Sequence, residues 1–406
     1  MLRVAFHQTP ALRARTGVGH YTAQLLAALR NLPVGGAVAG VPGGLLATLY
    51  QSATALTGSS GCSARTRLRS TLVSASRTAE GLYFRQVAGR LALGRFDLYH
   101  EPNLPILRTE LPTVVTVHDL SPLRFPEFQP AERARKFAQQ LPAIVNRTAH
   151  IVTVSDFSRD EIIRILGVPP ERVTRTYLGV RPELRPLPAA LVQARLRRLG
   201  LPASYLLFVG TLEPRKNLLT LLDAYARLPA KLRERCPLVL VGGWGWNFEP
   251  IAGRLAEVRP LGVVHLGYVA ESDLAVLYNG ARALVLPSHY EGFGLPPLEM
   301  MACGGPVLAS TAGALAEIFG DTAHLIPAEN GDGWTAALGR IIGDDDWRRE
   351  LCRDVRETAA KFTWQRCAEE TNDVYRRVLL PGSAWGRGAG DEGAALAGTS
   401  RASAKR

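Results

Sequence analysis

Leu286-Pro-Ser-His-Tyr-Glu-Gly-Phe-Gly-Leu-Pro-Pro-Leu-Glu-Met-Met-Ala-Cys-Gly-Gly-Pro-Val-Leu-Ala-Ser310 is the most informative stretch of the 406-residue chain. It opens with the end of an apolar strand at Pro287 and passes into a loop containing Gly292 and Gly294. A helix is expected to start near Pro296 or Pro297, because proline is well tolerated in a first helical turn. Gly304-Gly305 stops it, and Pro306–Ala309 begins another strand. The unit is strand, loop, helix, strand, the repeating piece of a parallel sheet.

Outward from this unit the same alternation continues in both directions. Towards the N-terminus, Tyr205–Gly210, Leu238–Gly242, Val263–Leu266 and Ala283–Pro287 read as strands, with Leu218–Ala226 as a helix. A second series lies further upstream, with strands at Arg3–His7, Leu98–His100, Thr113–His118 and His150–Ser155. Helical apolar spacing marks Thr22–Asn31 and Phe157–Leu166. Proline-rich Arg181–Ala189 reads as the linker between the two series. The expected fold is α/β, with two doubly wound Rossmann-like domains facing across a cleft. They span residues 1–185 and 186–362. Residues 363–380 form a last helix and 381–406 a Gly/Ala/Ser-rich disordered tail. Val34–Tyr50, interrupted by glycines and a proline, reads as a mobile loop rather than a membrane-contacting segment. Ligands of such sheets sit beyond the carboxyl ends of the strands, so chemistry belongs in the loops that follow them.

Those loops carry the candidate residues. The helix start after Leu295 points backbone N–H groups and a positive dipole end into the cleft, an anion site. Gly292 and Gly294, on either side of Phe293, allow close backbone approach to a ligand. Glu291 and Glu299 bracket this device, and a carboxylate can accept two hydroxyl hydrogen bonds at once, as a sugar or ribose diol requires. A lone glutamate on a helix is usually a solvated cap; two around this loop are harder to dismiss. In Phe208-Val-Gly-Thr-Leu-Glu-Pro-Arg-Lys-Asn-Leu218, the Arg215-Lys216 pair follows a strand and is placed to neutralise a diphosphate. Gly17 and Gly19, in Thr16-Gly-Val-Gly-His-Tyr-Thr22, follow the first strand and open a helix, although Gly-x-Gly alone is also a plain turn. A strand delivers His118 and Asp119 into the cleft; the bland alternative is a histidine satisfied by its neighbour Asp119.

With these residues on the page the chain resembles family 4 of the retaining glycosyltransferases, whose hallmark Glu-x7-Glu is met by Glu291 and Glu299. The resemblance implies the GT-B fold and transfer of a hexose, with retention, from a nucleotide-sugar donor to a glycan or lipid-linked acceptor. It implies that Glu291 lies near the reacting sugar and Glu299 near the ribose, and that Arg215 and Lys216 hold the pyrophosphate. His118 would bond hydroxyls of the transferred sugar, the Gly17–Gly19 loop would close over the phosphates, and Tyr268-Val269 would pass near the base. Many relatives carry a further arginine where this chain has Thr211. The context of Arg215-Lys216 resembles mannosyltransferases of polysaccharide assembly, pointing first to GDP-mannose. Rival readings are a GT-B epimerase that transfers nothing to a new acceptor, and an inactive nucleotide-sugar-binding regulator.

Composition narrows the partners. The net charge of +12 comes from 48 Lys+Arg, and suits phosphates or peripheral contact with an anionic membrane. Basic residues are scattered and no nucleic-acid recognition motif occurs, so no nucleic-acid partner is expected. The five cysteines are widely spread, without metal or redox spacing, which suits a reducing cytosol. The N-terminal residues read as a strand rather than a signal peptide. Asp344-Asp-Asp346 lies in a polar surface stretch, and the sequences assigned to the cleft contain no Asp-x-Asp. Neither metal nor cofactor is expected.

Overall fold

The computed structural model describes residues 2–12, 17–33, 37–41, 95–104, 106 and 109–380. Two parallel six-stranded sheets organise them. The first contains β1 (Arg3–His7), β2 (Ala37–Val41), β3 (Leu98–Glu101), β4 (Thr113–Thr116), β5 (His150–Thr153) and β6 (Val173–Arg175), in the order β2-β1-β3-β4-β5-β6. The second contains β7 (Leu206–Val209), β8 (Leu238–Val241), β9 (Val263–Gly267), β10 (Ala283–Leu286), β11 (Val307–Ser310) and β12 (His324–Ile326), in the order β12-β11-β10-β7-β8-β9. Most strands are four or five residues long and buried along nearly their whole length, as expected of sheets covered on both faces.

Residues 37–41 correct one expectation. The loop expected over Val34–Tyr50 contains β2, which pairs in parallel with β1 from Arg3↔Ala37 to His7↔Val41. Its alternating small residues, Ala-Val-Ala-Gly-Val, fit an edge strand beneath a helix, and Val38 and Val41 are buried. The remainder of that stretch and the tail expected over 381–406 lie outside the described residues, as does Cys62.

Between the sheets, residues 176–188 form neither helix nor strand, and the helix Ala189–Arg198 follows. The final helix, Trp364–Leu379, begins at Thr363, whose side chain accepts from the Arg366 N–H at 3.2 Å. It packs on the helix Gly17–Arg30 of the first half, and its Tyr375 ring lies edge-on to His100. Burial of His100 holds its pKa far below the usual imidazole value, at about 3, so it serves there as a neutral hydrogen-bonding spacer between Tyr375 and Thr116. Asp344 caps the helix Asp345–Leu351 by accepting from Trp347 N–H at 2.8 Å, so the acidic run at 344–346 is a surface helix start. None of the described helices is long and apolar enough to cross a membrane.

Candidate active site

Both sheets direct the carboxyl ends of their strands at one cavity of about 660 Å³. In the second sheet β7 has β8 on one side and β10 on the other, so the strand order reverses between β7 and β10. A ligand crevice opens at such a point. The loop after β7 supplies Arg215 and Lys216; the loop after β10 supplies Glu291.

These three side chains form one buried cluster. Lys216 Nζ donates to Glu291 Oε1 at 2.6 Å, and Ser288 Oγ donates to the same oxygen at 2.6 Å. Arg215 Nη1 donates to Glu291 Oε2 at 3.2 Å and to the Tyr290 carbonyl at 2.8 Å. Its Nε and Nη2 donate to Glu213 Oε1 at 3.0 and 2.7 Å. Burial alone would raise the Glu291 pKa, but the charges of Lys216 and Arg215 outweigh it and hold the carboxyl at about 2. Most of the Arg215 donors are engaged by Glu213, Glu291 and the Tyr290 carbonyl. Lys216 keeps donors for an incoming anion.

The glycine loop is also packed closely against protein. A Cβ at Gly292 would lie 2.6 Å from the His118 carbonyl oxygen and 2.9 Å from Asp119 Cβ, so the close approach is to the opposite domain. Gly294 has φ +106° and caps the helix Leu295–Ala302. A Cβ there would meet Leu315 Cδ2 at 2.7 Å. The anion site is narrower than expected, because Pro296 and Pro297 in the first turn have no N–H to offer. What remains is the N–H groups of Gly292, Phe293, Gly294 and Leu295, which have no acceptor among the described residues.

The N-terminal half faces this cluster with His118. Its Nε2 lies 3.0 Å from the Pro102 carbonyl, which can only accept, so Nε2 carries the proton and Nδ1 is an acceptor. Burial lowers the ring's pKa, partly offset by the Pro102 bond and the Asp119 charge, so the imidazole is neutral at pH 7. The Tyr21 ring packs edge-on at 4.7 Å and fixes its orientation.

Of the residues picked out in the sequence, the cavity brings together Gly17, His118, Arg215, Lys216, Glu291, Gly292, Phe293, Gly294 and Leu295. Gly19 is buried inside its helix. Tyr268 is exposed and Val269 half-buried beyond β9, away from the cavity lining. Glu299 is buried behind the helix start: Arg181 donates to its Oε1 through Nε at 3.1 Å and Nη2 at 2.8 Å, and Tyr278 OH donates to Oε2 at 2.7 Å. Burial raises its pKa, with Arg181 and Tyr278 opposing.

The sequence reading passed over His7, Glu101, Arg133, Glu213 and Trp246, all of which line the cavity. Trp246 Nε1–H donates to the Phe128 carbonyl at 2.7 Å, and the Arg133 guanidinium stands 4.0 Å from the centre of its ring. Its position in the loop after β8 was the available signal. Contact with the other half was not, since Phe128 lies 118 residues away. Two further contacts draw the halves together. Glu317 accepts from the Asp156 and Phe157 N–H groups at 2.8 and 2.7 Å, capping the helix Asp156–Leu166. Tyr290 bonds Glu161 and accepts from Leu120 N–H at 3.3 Å.

The chain is similar to known proteins in sequence and in fold. Residues 199–362 match the family described as Glycosyl transferases group 1, and residues 16–184 match Glycosyltransferase Family 4. O-antigen chain mannosyltransferase B of Escherichia coli is 37% identical over 282 residues, covering 69% of this chain and 74% of that protein. Serotype-specific mannosyltransferase WbdA of Escherichia coli is 30% identical over 296 residues, 70% of this chain but only 36% of its own length. D-inositol 3-phosphate glycosyltransferase of Thermobispora bispora is 34% identical over 310 residues, 70% of this chain and 72% of that protein. Among solved structures, sucrose-phosphate synthase from Thermosynechococcus elongatus superposes with a TM-score of 0.67 at 21% identity, over 93% of this chain and 99% of the other. Anabaena Alr3699/HepE, in complex with UDP and glucose, gives 0.67 at 18% identity, again over 93% and 99%. The fold is GT-B, two Rossmann-like domains across a cleft.

Proposed function

This chain belongs to the family 4 glycosyltransferases, and from that premise we propose that it transfers mannose from GDP-mannose, with retention of configuration, to a glycan or lipid-linked saccharide. The observation that carries the reading is the Lys216–Glu291–Arg215 cluster, held at the second sheet's switch point and facing His118 across the cavity. The mannose assignment draws on the likeness to O-antigen chain mannosyltransferase B.

The chemistry breaks the bond between the anomeric carbon and the diphosphate oxygen and joins that carbon to an acceptor hydroxyl oxygen. The proton of that hydroxyl passes to the departing diphosphate. Positive charge builds on the sugar and negative charge on the leaving group on the way. Lys216 and the N–H groups of Gly292 to Leu295 are preorganised to meet the negative charge, the main source of rate in such a site. The Glu291 carboxylate, kept ionised by its cations, faces the sugar and counters the developing positive charge. Neutral His118 accepts a sugar hydroxyl at Nδ1, which orients the anomeric carbon. With cationic side chains meeting the diphosphate, the reaction is proposed to need no metal. Peripheral contact with an anionic membrane, where a lipid-linked acceptor would be found, fits the net charge of +12.

The test is release of nucleoside diphosphate from GDP- and UDP-sugars by the purified protein, with and without EDTA, beside Glu291→Ala. Release from GDP-mannose that survives EDTA and disappears in the variant is the expected result. Release from another donor would reassign the sugar or base, dependence on added metal would remove the metal-free mechanism, and an unaffected variant would remove Glu291 from the site.

A further inference from the structure

One side chain of the second half is set into the first, and it belongs to the residue beside Glu291. Tyr290 lies in the loop after β10 and is buried. Its ring meets the Phe125 and Phe157 rings edge-on, with centroids 5.6 and 5.5 Å away. Its hydroxyl donates to Glu161 Oε2 and accepts from the Leu120 N–H at 3.3 Å. Glu161 is buried on the helix Asp156–Leu166 that follows β5. Leu120 lies in the loop after β4, two residues from His118. Arg124 Nε, 3.2 Å from Glu161 Oε1, holds the other carboxylate oxygen. Burial, the charge of Asp119 and the Glu161 bond push the phenol pKa far up, so it keeps its proton and remains a donor.

The backbone of the same residue belongs to the donor cluster. The Tyr290 carbonyl accepts from Arg215 Nη1 at 2.8 Å, and the His289 N–H donates to the Arg215 carbonyl at 2.9 Å. A shift of the Tyr290 backbone therefore moves Arg215 and Glu291 together, whereas a shift of its hydroxyl is felt at Leu120 and the strand end that carries His118. The rings alone would hold the halves by apolar contact, which is non-directional. The two hydrogen bonds add direction, and with it a register between the loops. If they were not made, a buried carboxylate oxygen and a buried N–H would lack partners until the halves parted and water reached them.

We propose that Tyr290 and Glu161 form a latch between the halves, and that Tyr290 is a positioning residue that holds Glu291 opposite His118 for sugar transfer. The proposal rests on the glycosyltransferase reading. The competing account is that Tyr290 only fills the space between Phe125 and Phe157.

Tyr290→Phe keeps the ring and removes the hydroxyl, while Glu161→Ala removes the partner from the other half. With the full chain loaded with GDP or UDP, small-angle X-ray scattering is expected to give either variant a larger radius of gyration than the wild type. Nucleoside diphosphate release, at saturation with the GDP- or UDP-sugar that the wild type turns over, should fall about tenfold in each single variant. That is the worth of one hydrogen bond to a charged group, and the donor KM should change by less. The double variant should fall no further than the more impaired single, because the bond is already lost. A space-filling role would leave the rate and radius of Tyr290→Phe at wild-type values, and unconnected roles would multiply the two losses; either result overturns the proposal. If Glu161→Ala does not fold, Tyr290→Phe decides, and if the wild type binds nucleotide without releasing any from a donor, the scattering comparison decides. Wild-type protein that neither binds a nucleotide nor releases one removes the glycosyltransferase premise and the positioning role with it, whereas an unchanged radius in Tyr290→Phe removes the latch alone.

Discussion

Lys216 Nζ lies 2.6 Å from Glu291 Oε1, joining the loop after β7 to the loop after β10 across 75 residues of sequence. The bond is nearly shielded from water, so each charge depends on the other. In the proposed reaction an arriving diphosphate would compete with Glu291 for Lys216, coupling donor entry to release of the carboxylate towards the sugar. Lys216→Ala and Glu291→Ala should each lower turnover by roughly 10²–10³, the usual cost of removing one preorganised charge. Because the two act as a unit, the double variant should lose far less than the product of the singles. Steady-state rates on the four proteins of the cycle check this; strict multiplicativity would mean the bond has no functional role.

The same pair makes stability depend on pH. Burial would raise the Glu291 carboxyl, but Lys216 and Arg215 bring it from the ordinary 4.5 to about 2. A folded-state pKa below the unfolded one contributes stability that is fully present above the ordinary value and lost as pH falls towards the folded one. Between pH 4.5 and 2 this contribution should fade in the wild type and be absent in Glu291→Gln. Thermal melts of both proteins at pH 7 and pH 3.5 should show a gap that narrows in acid. A gap of constant size would place the carboxylate's stabilisation elsewhere.

Gly292→Ala tests the closed cleft. The new methyl would sit 2.6 Å from the His118 carbonyl, an atom fixed in backbone. The halves would have to part, separating Lys216 and Glu291 from His118. Turnover should fall at least as far as with one misplaced group, roughly 10²-fold, while nucleotide binding should weaken by less, because Lys216 stays in place. Calorimetric titration with nucleotide beside rate measurements separates the two effects.

Glu317 caps a helix that belongs to the other domain, through the Asp156 and Phe157 N–H groups. Glu317→Ala leaves those donors to water while the Ser155 N-cap remains, and should cost about 1 kcal/mol, the typical net worth of a lost hydrogen bond. The melting temperature should drop by a few degrees, and the acceptor KM should rise because the cleft opens more readily. A change in melting temperature without any change in KM would limit the contact to stability.

How much of this was legible in the sequence varies from element to element. The strands before Lys216 and Glu291 were readable, because short apolar runs with loop chemistry behind them have few alternative conformations. β2 was not, since Ala-Val-Ala-Gly-Val at an edge has weak apolar signal and depends on β1 for its pairing. The cluster of Lys216, Arg215 and Glu291 was legible as candidates at two loop positions. That Arg215 bonds Glu213, the Tyr290 carbonyl and Glu291 while Lys216 bonds Glu291 depended on the tertiary fold. Glu299 shows the converse: its spacing from Glu291 was plain, but its bonds to Arg181 and Tyr278 were not.

Sequence alone therefore determined the layer architecture, the cleft and the chemical type of its main residues. These depend on local periodicity, turn chemistry and charge, which act over a few residues. Tertiary structure decided which groups meet: His7 with Glu101 across 94 residues, Trp246 with Phe128 across 118, and Gly292 against His118. Those pairings follow from strand order and domain closure, and a hydrogen bond a few ångströms long is specified only once both chain segments are fixed in space.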